Sequence, residues 1–314
     1  MSLTIGVDVG GTKIAAGVVD DDGHIVAQLR RETPSTDPVA LVDTVAGLAS
    51  ELALAHDVKA IGIGAPGFID ETRSIVRFAP NLAWREEPLG EAVRKRTNLA
   101  VVVENDANSA AWAEARFGAG RDQSDVVMLT IGTGVGGGIV IGNRLFRGRF
   151  GIGAEMGHTN AVPHGRRCGC GNRGCYEQYA SGRALVHEAR ELASSSPALA
   201  GRLLELGGGT PEGIEGEEVT LAAQEGNAAA RECFDIVGRY LGQLMADLAA
   251  VLDPGCFVLG GGVSEAGDLL LLPARHAFRA ALTGRGHRPV AEVRIAHLGG
   301  DAGVVGAADL ARQH

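Results

Sequence analysis

Residues 3–11 read LTIGVDVGG, and residues 129–137 read LTIGTGVGG. The two stretches are identical at seven of nine positions, with a constant offset of 126 residues. An apolar, strand-like run follows each stretch, at residues 14–19 and at residues 139–141. Because self-similarity at a fixed spacing indicates a duplicated unit, the repeat predicts two domains of one architecture, each opening with a strand, a glycine turn and a returning strand. The alternative is a chance match between two glycine-rich strands.

The rest of the chain alternates strand-like and helix-like segments. Apolar strand-like runs lie at residues 25–32, 59–64, 100–104, 256–259 and 291–296, and helical apolar spacing lies at 39–55, 88–96, 105–117, 228–252 and 302–312. This alternation predicts an α/β fold in which helices cover mixed sheets. We expect a small N-terminal α/β domain at 1–118, with the C-terminal helix 301–314 packed on it, and a large C-terminal α/β domain at 119–300.

The composition argues against several classes of protein. A chain of 314 residues, 45% of them hydrophobic, can bury a large core without disulfide bonds. Its formal net charge of -9 argues against general nucleic-acid binding, which needs basic patches. No basic, apolar leader precedes the first strand, and no stretch reaches roughly 18 uninterrupted apolar residues. We therefore expect a cytoplasmic protein that binds neither nucleic acid nor a membrane.

The first glycine turn carries two charged side chains. Asp8, Gly10, Gly11, Thr12 and Lys13 lie between two predicted strands. Glycine allows backbone amides to approach a phosphate and to form an anion-binding nest. Asp8 is suited to hold Mg²⁺ directly or through water, and Lys13 is suited to balance phosphate charge. The spacing of a P-loop is absent, and a plain hairpin turn is the alternative.

Further glycine clusters follow other apolar strands. Residues 132–138 and residues 62–67 each contain a literal G-x-G-x-x-G. We reject a dinucleotide site for both because that motif needs a following helix, whereas a hairpin-like strand follows the first cluster and an irregular loop follows the second. A second set of phosphate contacts, facing the first across a cleft, is expected at Gly132, Thr133, Gly134 and Gly136. A third nucleotide contact, near adenine or ribose, is expected at Gly260 and Gly261.

A carboxylate stands at the head of a predicted helix. Asn105 and Asp106 directly follow an apolar strand, at the edge of the sheet where α/β proteins place ligands. Phosphoryl transfer to an alcohol needs a carboxylate that accepts the hydroxyl proton. Asp106 is our candidate for this base, and Asn105 is our candidate for holding a neighbouring hydroxyl. The alternative is that both residues only cap the helix, where Asp and Asn are favoured.

One glycine-rich loop concentrates metal-binding side chains. It contains His158, Cys168, Cys170 and Cys175. One imidazole and three thiolates suit tetrahedral Zn²⁺, although the spacing differs from the usual C-x-x-C finger. His164 is an alternative fourth ligand, and free thiols on a loop are the remaining alternative. Three thiolates leave the site with a charge of about -1, which makes the zinc a poor Lewis acid and favours a structural role.

The same loop carries a set of polar residues suited to a polyol. Glu155 and Glu177 flank the proposed zinc ligands, and carboxylates bind vicinal hydroxyls through charge-assisted hydrogen bonds. His158 is able to serve twice, with one ring nitrogen on zinc and the other on a sugar hydroxyl. The two remaining cysteines, Cys233 and Cys256, lie in apolar surroundings typical of core residues.

These motifs together resemble those of the ROK (repressor/open-reading-frame/kinase) family, and within it the bacterial ATP-dependent glucokinases. The resemblance runs from Leu3 to the last helix, and five modest motifs in one order make it specific. They are D-x-G-G-T-K at 8–13, E-N-D at 104–106, G-T-G-x-G-G-G at 132–138, E-x-G-H at 155–158 and C-x-C-x₄-C-x-E at 168–177.

The resemblance implies an actin-like, RNase H-like fold with two duplicated α/β domains around an interdomain cleft. It implies transfer of the γ-phosphoryl group of ATP to the 6-hydroxyl of glucose, with Mg²⁺ and a structural Zn²⁺ and with Asp106 as the general base. It implies a homodimer or homotetramer, and phosphate contacts from both glycine turns. The sugar contacts that it implies are Asn105, Glu155, His158 and Glu177, together with Gly67 and Asn81.

Two alternatives remain open. Another hexose (N-acetylmannosamine, fructose or allose) would keep the same fold and mechanism. A non-enzymatic, sugar-sensing regulator is the other, since the family includes repressors. Those proteins carry a DNA-binding module before the first strand, and here the strand begins at Leu3. An actin-like or chaperone-like ATPase is disfavoured because Glu155, His158 and Glu177 form a set suited to a sugar.

Overall fold

The computed structural model describes residues 2–313. Its strands are β1 (Leu3–Val9), β2 (Lys13–Val19), β3 (Ile25–Glu32), β4 (Val58–Ala65), β5 (Phe68–Ile69), β6 (Val76–Phe78), β7 (Arg85–Glu87), β8 (Ala100–Asn105), β9 (Val126–Ile131), β10 (Val135–Ile141), β11 (Arg144–Phe146), β12 (Cys256–Gly260) and β13 (Glu292–Ile295). Its helices are α1 (Pro38–Ala55), α2 (Leu89–Thr97), α3 (Asp106–Arg116), α4 (Glu177–Ala180), α5 (Gly182–Ser195), α6 (Gly201–Leu206), α7 (Gly216–Gln224), α8 (Ala228–Leu252), α9 (Asp268–Ala281) and α10 (Ala302–Arg312). The strand and helix positions predicted from apolar spacing are confirmed, with bounds that differ by a few residues.

Two five-stranded sheets share one topology. The first has the order β3-β2-β1-β4-β8, and the second has the order β11-β10-β9-β12-β13. Counted along the chain within each sheet, both orders are 3-2-1-4-5. In the first sheet β1, β2 and β3 are antiparallel neighbours, whereas β4 and β8 run parallel to β1. The predicted duplication is therefore confirmed.

The literal sequence repeat does not align equivalent positions. Strand β1 ends at Val9 and β2 begins at Lys13, whereas β9 ends at Ile131 and β10 begins at Val135. Equivalent positions are thus 122 residues apart, whereas the repeat has an offset of 126. A segment in which apolar residues alternate with glycine also matches a similar segment when the two are shifted by a few residues. The repeat therefore indicated the duplication correctly while misaligning its two copies by four residues.

The described residues divide into two compact units. The first comprises the described parts of 1–128, 137–154 and 296–314, and the second comprises 129–136 and 155–295. The closing helix belongs to the first unit and contacts β1, β2, β4 and α3. Its expected range, 301–314, includes residue 314, which lies outside the described residues.

Helices cover both faces of the first sheet. Alternate residues of β1, such as Ile5 and Val7, are fully buried in a core that also contains the inner face of α1. The opposite face of β1 contacts α10, and there glycine is required. A Cβ atom on Gly6 would lie 1.8 Å from the carbonyl oxygen of Val304, and one on Gly62 would lie 1.8 Å from that of Ala307. These glycines let the helix backbone lie directly on the sheet.

The second unit is mainly helical beyond its strands. The long helix α8 packs along α9, and α5 and α7 also contact α8. Gly242 allows the close approach of α8 to α9, because a Cβ there would lie 2.6 Å from the carbonyl oxygen of Ala274. Strand β12 runs parallel to β13, and its five residues are all buried.

The segment after Gly67 differs from the expectation. Residues after Gly67 form a small antiparallel sheet of β5, β6 and β7, whereas the sequence suggested an irregular loop. Strands of two or three residues are too short for alternation to reveal them.

Among the described residues, α1 is long and apolar enough to cross a membrane by length and composition alone. Seven of its residues are buried in the core of the first unit, which accounts for its apolar composition.

Candidate active site

The first glycine turn is a tight hairpin between β1 and β2. The backbone amide of Gly10 donates to the carbonyl oxygen of Lys13 at 3.0 Å. Thr33 holds the turn from the end of β3, because its hydroxyl donates to the carbonyl oxygen of Gly10 at 2.8 Å and its amide to that of Thr12 at 3.0 Å. Gly11, Thr12 and Lys13 are exposed. The backbone of the turn is therefore fixed, while its residues 11–13, including the lysine side chain, are accessible to solvent.

Asp8 lies on the face of β1 that α10 covers. A Cβ atom on Gly303, near the start of α10, would lie within 3 Å of the Asp8 carboxylate. Burial, and next the charge of Asp106, raise the pKa of Asp8 to about 7, while Lys13 opposes the shift. Asp8 is thus a carboxylate for which a nearby cation would be strongly favourable.

Asn105 and Asp106 lie at the junction of β8 and α3. The Asn105 side chain caps the helix by accepting from the amide of Asn108 at 3.0 Å. It also donates from Nδ2 to the carbonyl oxygen of Gly67 at 3.1 Å. Burial raises the pKa of Asp106, against hydrogen bonds from its own region that lower it. A carboxylate with a raised pKa is a stronger base, which suits the role predicted for Asp106.

The structure brings Gly67 to this junction. Its φ of +99° favours glycine, and a Cβ there would lie 2.0 Å from the carbonyl oxygen of Phe78. Asn81 lies on the connection between β6 and β7 and is exposed. Gly67, Asn105 and Asp106 therefore form one cluster in the first unit, whereas within residues 2–313 no side-chain hydrogen bond or ion pair links Asn81 to that cluster.

Glu104, the first residue of the E-N-D motif, is a buried carboxylate to which the sequence analysis assigned no role. Its side chain is 1% exposed, and its Oε2 lies 2.7 Å from Nε of Arg147 and 3.4 Å from Nε of Arg73. Its Oε1 accepts from the amide of Asn105 at 2.9 Å. The signal available in the sequence was a glutamate within the last residues of an apolar strand. Its partners at 73 and 147 lie too far along the chain to be foreseen.

The second glycine turn lies in the second unit and covers residues 132–134. The amide of Gly132 donates to the carbonyl oxygen of Gly134 at 3.0 Å. The start of α5 lies on this turn: the amide of Gly182 donates to the carbonyl oxygen of Gly132 at 2.8 Å, and Nε of Arg183 donates to that of Thr133 at 2.9 Å. Gly136 lies within β10 and not in the turn.

The third glycine cluster lies against the second turn. Gly260 ends β12, and Gly261 follows with a φ of +84°. A Cβ atom on Gly261 would lie 2.6 Å from the carbonyl oxygen of Ile131, the residue before Gly132. The structure therefore brings the two predicted nucleotide-binding clusters of this unit together.

His158, Cys168, Cys170 and Cys175 form one cluster whose ligand atoms all lie within 4.8 Å of one another. The Cys170 and Cys175 sulfurs are 3.6 Å apart, and Nδ1 of His158 is 3.6 Å from the Cys168 sulfur. Sulfurs that share a tetrahedral zinc at 2.3 Å are separated by about 3.8 Å, so the spacing fits. Burial and neighbouring thiols raise the pKa of Cys175, which a cation would offset. His164, the alternative ligand, is not part of this group.

The carboxylates of the second unit lie beside this cluster. Glu155 and His158 are partly exposed, and their side chains approach to 4.0 Å. Glu177 begins α4, two residues after Cys175. Its Oε2 accepts from the amide of Val135 at 3.3 Å, and its Oε1 lies 3.6 Å from the Cys168 sulfur. Glu177 therefore links the cysteine cluster to the glycine turn.

The chain matches a family of known proteins over almost its whole length. The family model described as ROK family matches residues 4–314. A glucokinase of Streptomyces coelicolor is 52% identical over 313 residues, which cover 100% of this chain and 98% of that protein. An N-acetylmannosamine kinase of Escherichia coli is 34% identical over 314 residues, covering 98% of each. The crystal structure of a ROK family glucokinase from Streptomyces griseus, in complex with glucose and AMPPNP, has a TM-score of 0.88 and 53% identity, with 100% of both chains covered.

Proposed function

The chain belongs to the ROK family, and from that premise we propose that it is an ATP-dependent glucokinase. It transfers the γ-phosphoryl group of ATP to the 6-hydroxyl of glucose. The observation that carries this function is the full-length similarity to the Streptomyces glucokinases, one of them solved with glucose and AMPPNP. The five motifs noted in the sequence all lie within the matched residues.

Asp106 is proposed as the general base. Its carboxylate would accept the proton of the 6-hydroxyl as the oxygen attacks the γ-phosphorus. Two observations support this role: Asp106 lies at the carboxyl end of β8, where α/β sheets place ligands, and burial raises its pKa. A base whose pKa is shifted towards the working pH contributes about 10²–10⁴-fold to the rate.

The sugar is proposed to be held by backbone, amide, imidazole and carboxylate groups. The fixed position of Asn105, which both caps α3 and donates to Gly67, supports its role in orienting a hydroxyl. Orientation of the acceptor converts a bimolecular reaction into an effectively unimolecular one. The proposed sugar contacts are Gly67, Asn81, Asn105, Asp106, Glu155, His158 and Glu177.

The phosphates of ATP are proposed to bind at the glycine turns. Backbone amides and Lys13 would stabilise the charge that develops on the phosphates, which is commonly the largest contribution to catalysis. Asp8 has a carboxylate suited to Mg²⁺, and its raised pKa supports a cation partner. Bound Mg²⁺ would supply charge neutralisation of the phosphate oxygens. The proposed ATP and Mg²⁺ contacts are Asp8, Gly10, Gly11, Thr12, Lys13, Gly132, Thr133, Gly134, Gly136, Gly260 and Gly261.

A structural Zn²⁺ is proposed at His158, Cys168, Cys170 and Cys175. The spacing of the four ligand atoms supports it. When bound, zinc would supply rigidity and no chemistry, since three thiolates and one imidazole complete its tetrahedron. Bound zinc would restrict the movement of Glu177, because Glu177 contacts Cys168 and lies two residues from Cys175.

We further propose a cytoplasmic location and a homodimer or homotetramer. The assembly follows from the resemblance to the ROK family, and the location is the one expected in the sequence analysis. Size-exclusion chromatography with light scattering tests the assembly: a mass of two or four times 32.3 kDa is expected, and a monomer would contradict the proposal. Fractionation of the source cells, followed by immunoblotting, tests the location.

A coupled assay of ADP release with ATP, Mg²⁺ and a panel of hexoses tests the function. The expected result is turnover with glucose at a kcat/KM at least about tenfold above that with N-acetylmannosamine, fructose or allose, since groups that hydrogen-bond a substrate hydroxyl discriminate strongly. N-acetylmannosamine is the main competing substrate, because a kinase for it is similar to this chain over its full length. Preference for that sugar would change the substrate and keep the mechanism. Absence of turnover with every hexose would contradict the kinase.

A further inference from the structure

A buried charge network lies behind the Asn105–Asp106 junction. Glu104, with 1% of its side chain exposed, has two guanidinium groups beside one carboxylate oxygen, those of Arg147 and Arg73. The two arginine side chains are themselves only 11% and 16% exposed. Neither arginine belongs to the sets proposed to contact glucose or ATP.

The arginines attach two surface segments of the first unit to this carboxylate. Arg147 follows β11, and it also donates to the carbonyl oxygen of Asp70 at 2.9 Å and to that of Glu71 at 3.4 Å. Arg73 lies in the same turn as Asp70, and its carbonyl oxygen accepts from the amide of Val103 at 2.9 Å. The connection between β5 and β6 and the segment after β11 are thus fastened to the end of β8.

The second oxygen of Glu104 faces the junction itself. It accepts from the amide of Asn105 at 2.9 Å and from Nδ2 of Asn108 at 3.1 Å. The Asn105 side chain in turn contacts Gly67 and the first turn of α3. Glu104 therefore bonds both to the backbone of Asn105 and to Asn108, the residue whose amide the Asn105 side chain caps.

Stability alone is a poor reason for such an arrangement. Removing two or more ionic groups from water is costly, and apolar residues of similar volume commonly stabilise a core as well or better. What the buried carboxylate does provide is a fixed geometry at the junction, because its Oε1 accepts directed hydrogen bonds from Asn105 and Asn108 while the charges of the two arginines attract its Oε2. Glu104 directly precedes Asn105 and Asp106. A displacement of these two side chains by about 1 Å would lower the rate of phosphoryl transfer by up to about a hundredfold.

We infer that Glu104, held by Arg147 and Arg73, is a positioning residue that sets the orientation of Asn105 and Asp106 towards the sugar. This inference rests on the proposed function, since it assigns Asn105 and Asp106 to the sugar and to proton transfer. It predicts that loss of the network impairs the use of glucose more than the use of ATP. The proposed phosphate contacts Gly10 to Lys13 are held by Thr33 and not by Glu104.

Two single variants and their combination test the inference. Arg147→Met removes one guanidinium while keeping a long apolar side chain, and Glu104→Gln removes the carboxylate charge while keeping its shape. For each we would measure kcat, the KM for glucose, the KM for ATP, the Kd for glucose by calorimetry without ATP, and the melting temperature. A rise of about tenfold in the KM and Kd for glucose, with the KM for ATP within about twofold of wild type, is expected from a misplaced sugar-binding group.

The double variant separates a shared function from two independent ones. If both residues act through one network, Glu104→Gln combined with Arg147→Met should raise the KM for glucose no further than the worse single variant does. Arg77→Met is the matched control: Arg77 lies on β6 in the same unit and pairs with Glu71 and Glu86 on the exposed surface. Its kinetics should match wild type.

The outcomes distinguish the inference from the proposed function. A wild-type protein without hexose-dependent turnover would defeat the proposed function and, with it, the inference. A wild-type glucokinase whose Arg147→Met variant melts at a lower temperature, but binds and phosphorylates glucose normally, would defeat the inference alone and leave the network as a stabilising one. If Glu104→Gln does not fold, Arg147→Met carries the test, because it leaves Glu104 paired with Arg73.

Discussion

Asp8 and Asp106 are neighbouring carboxylates whose pKa values are both raised by burial, and the charge of Asp106 raises that of Asp8 further. A pair of this kind keeps a proton more readily than two exposed acids do. One member with a raised pKa suits a base that accepts a hydroxyl proton, and the other suits a cation ligand. The two assignments lead to different expectations on substitution.

Asp106→Asn should reduce kcat by about 10²–10⁴-fold, because the amide cannot accept the hydroxyl proton. Glucose should still bind, because the amide retains the size of the carboxylate and Asn105 keeps its bond to Gly67. Initial rates with saturating ATP and glucose, together with calorimetry of glucose binding, measure both effects. A variant that retains wild-type kcat would remove Asp106 from the role of base, and one that neither turns over nor binds glucose would leave that role unsupported.

Asp8→Asn should change the dependence of stability on pH in protein free of Mg²⁺ and nucleotide. Asp8 ionises near its ordinary pKa of 3.8 in the unfolded chain and near a pKa of about 7 in the folded protein. Between these two pKa values the folded protein holds a proton that the unfolded chain has lost. The free energy of unfolding therefore falls as the pH rises from about 4 to about 7. Asparagine carries no such cost, so the variant should melt several degrees above wild type at pH 8, with the difference shrinking towards pH 5.

Asp57→Asn is the control for Asp8, because Asp57 is largely exposed beside Lys59. Its melting temperature should follow wild type across the whole pH range. Equal melting temperatures of wild type and Asp8→Asn at pH 8 would contradict the raised pKa of Asp8.

At the scale of single residues, the sequence identified candidate reactive side chains but not the residues that hold them in place. Asp106 and Asn105 stood out because polar side chains directly followed an apolar strand. Thr33 and Arg147 did not stand out, because their significance comes from hydrogen bonds to Gly10 and Glu104, far away along the chain. Such contacts depend on the tertiary fold and have no local pattern.

Among the larger elements, the loop that carries the cysteine cluster determines how Glu177 is held. Cys168 and Cys175 are buried, and Glu177 joins them to the amide of Val135. Cys168→Ser should therefore lower the zinc content from about one equivalent, the capacity of one tetrahedral site, and weaken glucose binding. Elemental analysis and calorimetry measure these two effects.

Cys233→Ser is the matched control for the cysteine cluster. Cys233 is buried in α8, where its sulfur donates to the carbonyl oxygen of Ala229 within the helix. Zinc content and glucose affinity should both remain at wild-type values in this variant. Undiminished zinc in Cys168→Ser would exclude Cys168 as a ligand, and wild-type glucose affinity in a zinc-free variant would show that the metal does not hold Glu177.

Long elements were predictable and short ones were not. Helix α8 and strands β1 and β4 have enough residues for apolar spacing to define them. The small sheet of β5, β6 and β7 has strands of two or three residues, and it was expected to be a loop. The sequence repeat identified the paired β-turn-β units but misaligned them. Gly136, an expected phosphate contact chosen from the glycine cluster at 132–138, lies within β10.

For the molecule as a whole, the first unit is built from both ends of the chain. Arg312 near the end of α10 donates to the Thr4 hydroxyl at 2.9 Å and to the carbonyl oxygens of Val19 and Asp20 at 3.0 and 2.9 Å. It also pairs with Asp309 at 2.7 Å. The packing of the closing helix on the first domain was expected from the sequence. The arginine that fastens it was not, because its partners lie about 300 residues away.

Arg312→Ala should destabilise the protein by about 3 kcal/mol, because it leaves one oxygen of the buried Asp309 and several carbonyl oxygens without this donor, while Trp112 still donates to the other oxygen. Thermal unfolding should show a melting temperature lower by several degrees, with the KM for glucose unchanged in the folded protein. Arg202→Ala provides the comparison, since Arg202 makes two bonds of 2.8 Å to Glu225 but does so at the surface. Exposed pairs contribute little to stability, so equal losses in the two variants would show that Arg312 does not fasten the two ends of the chain.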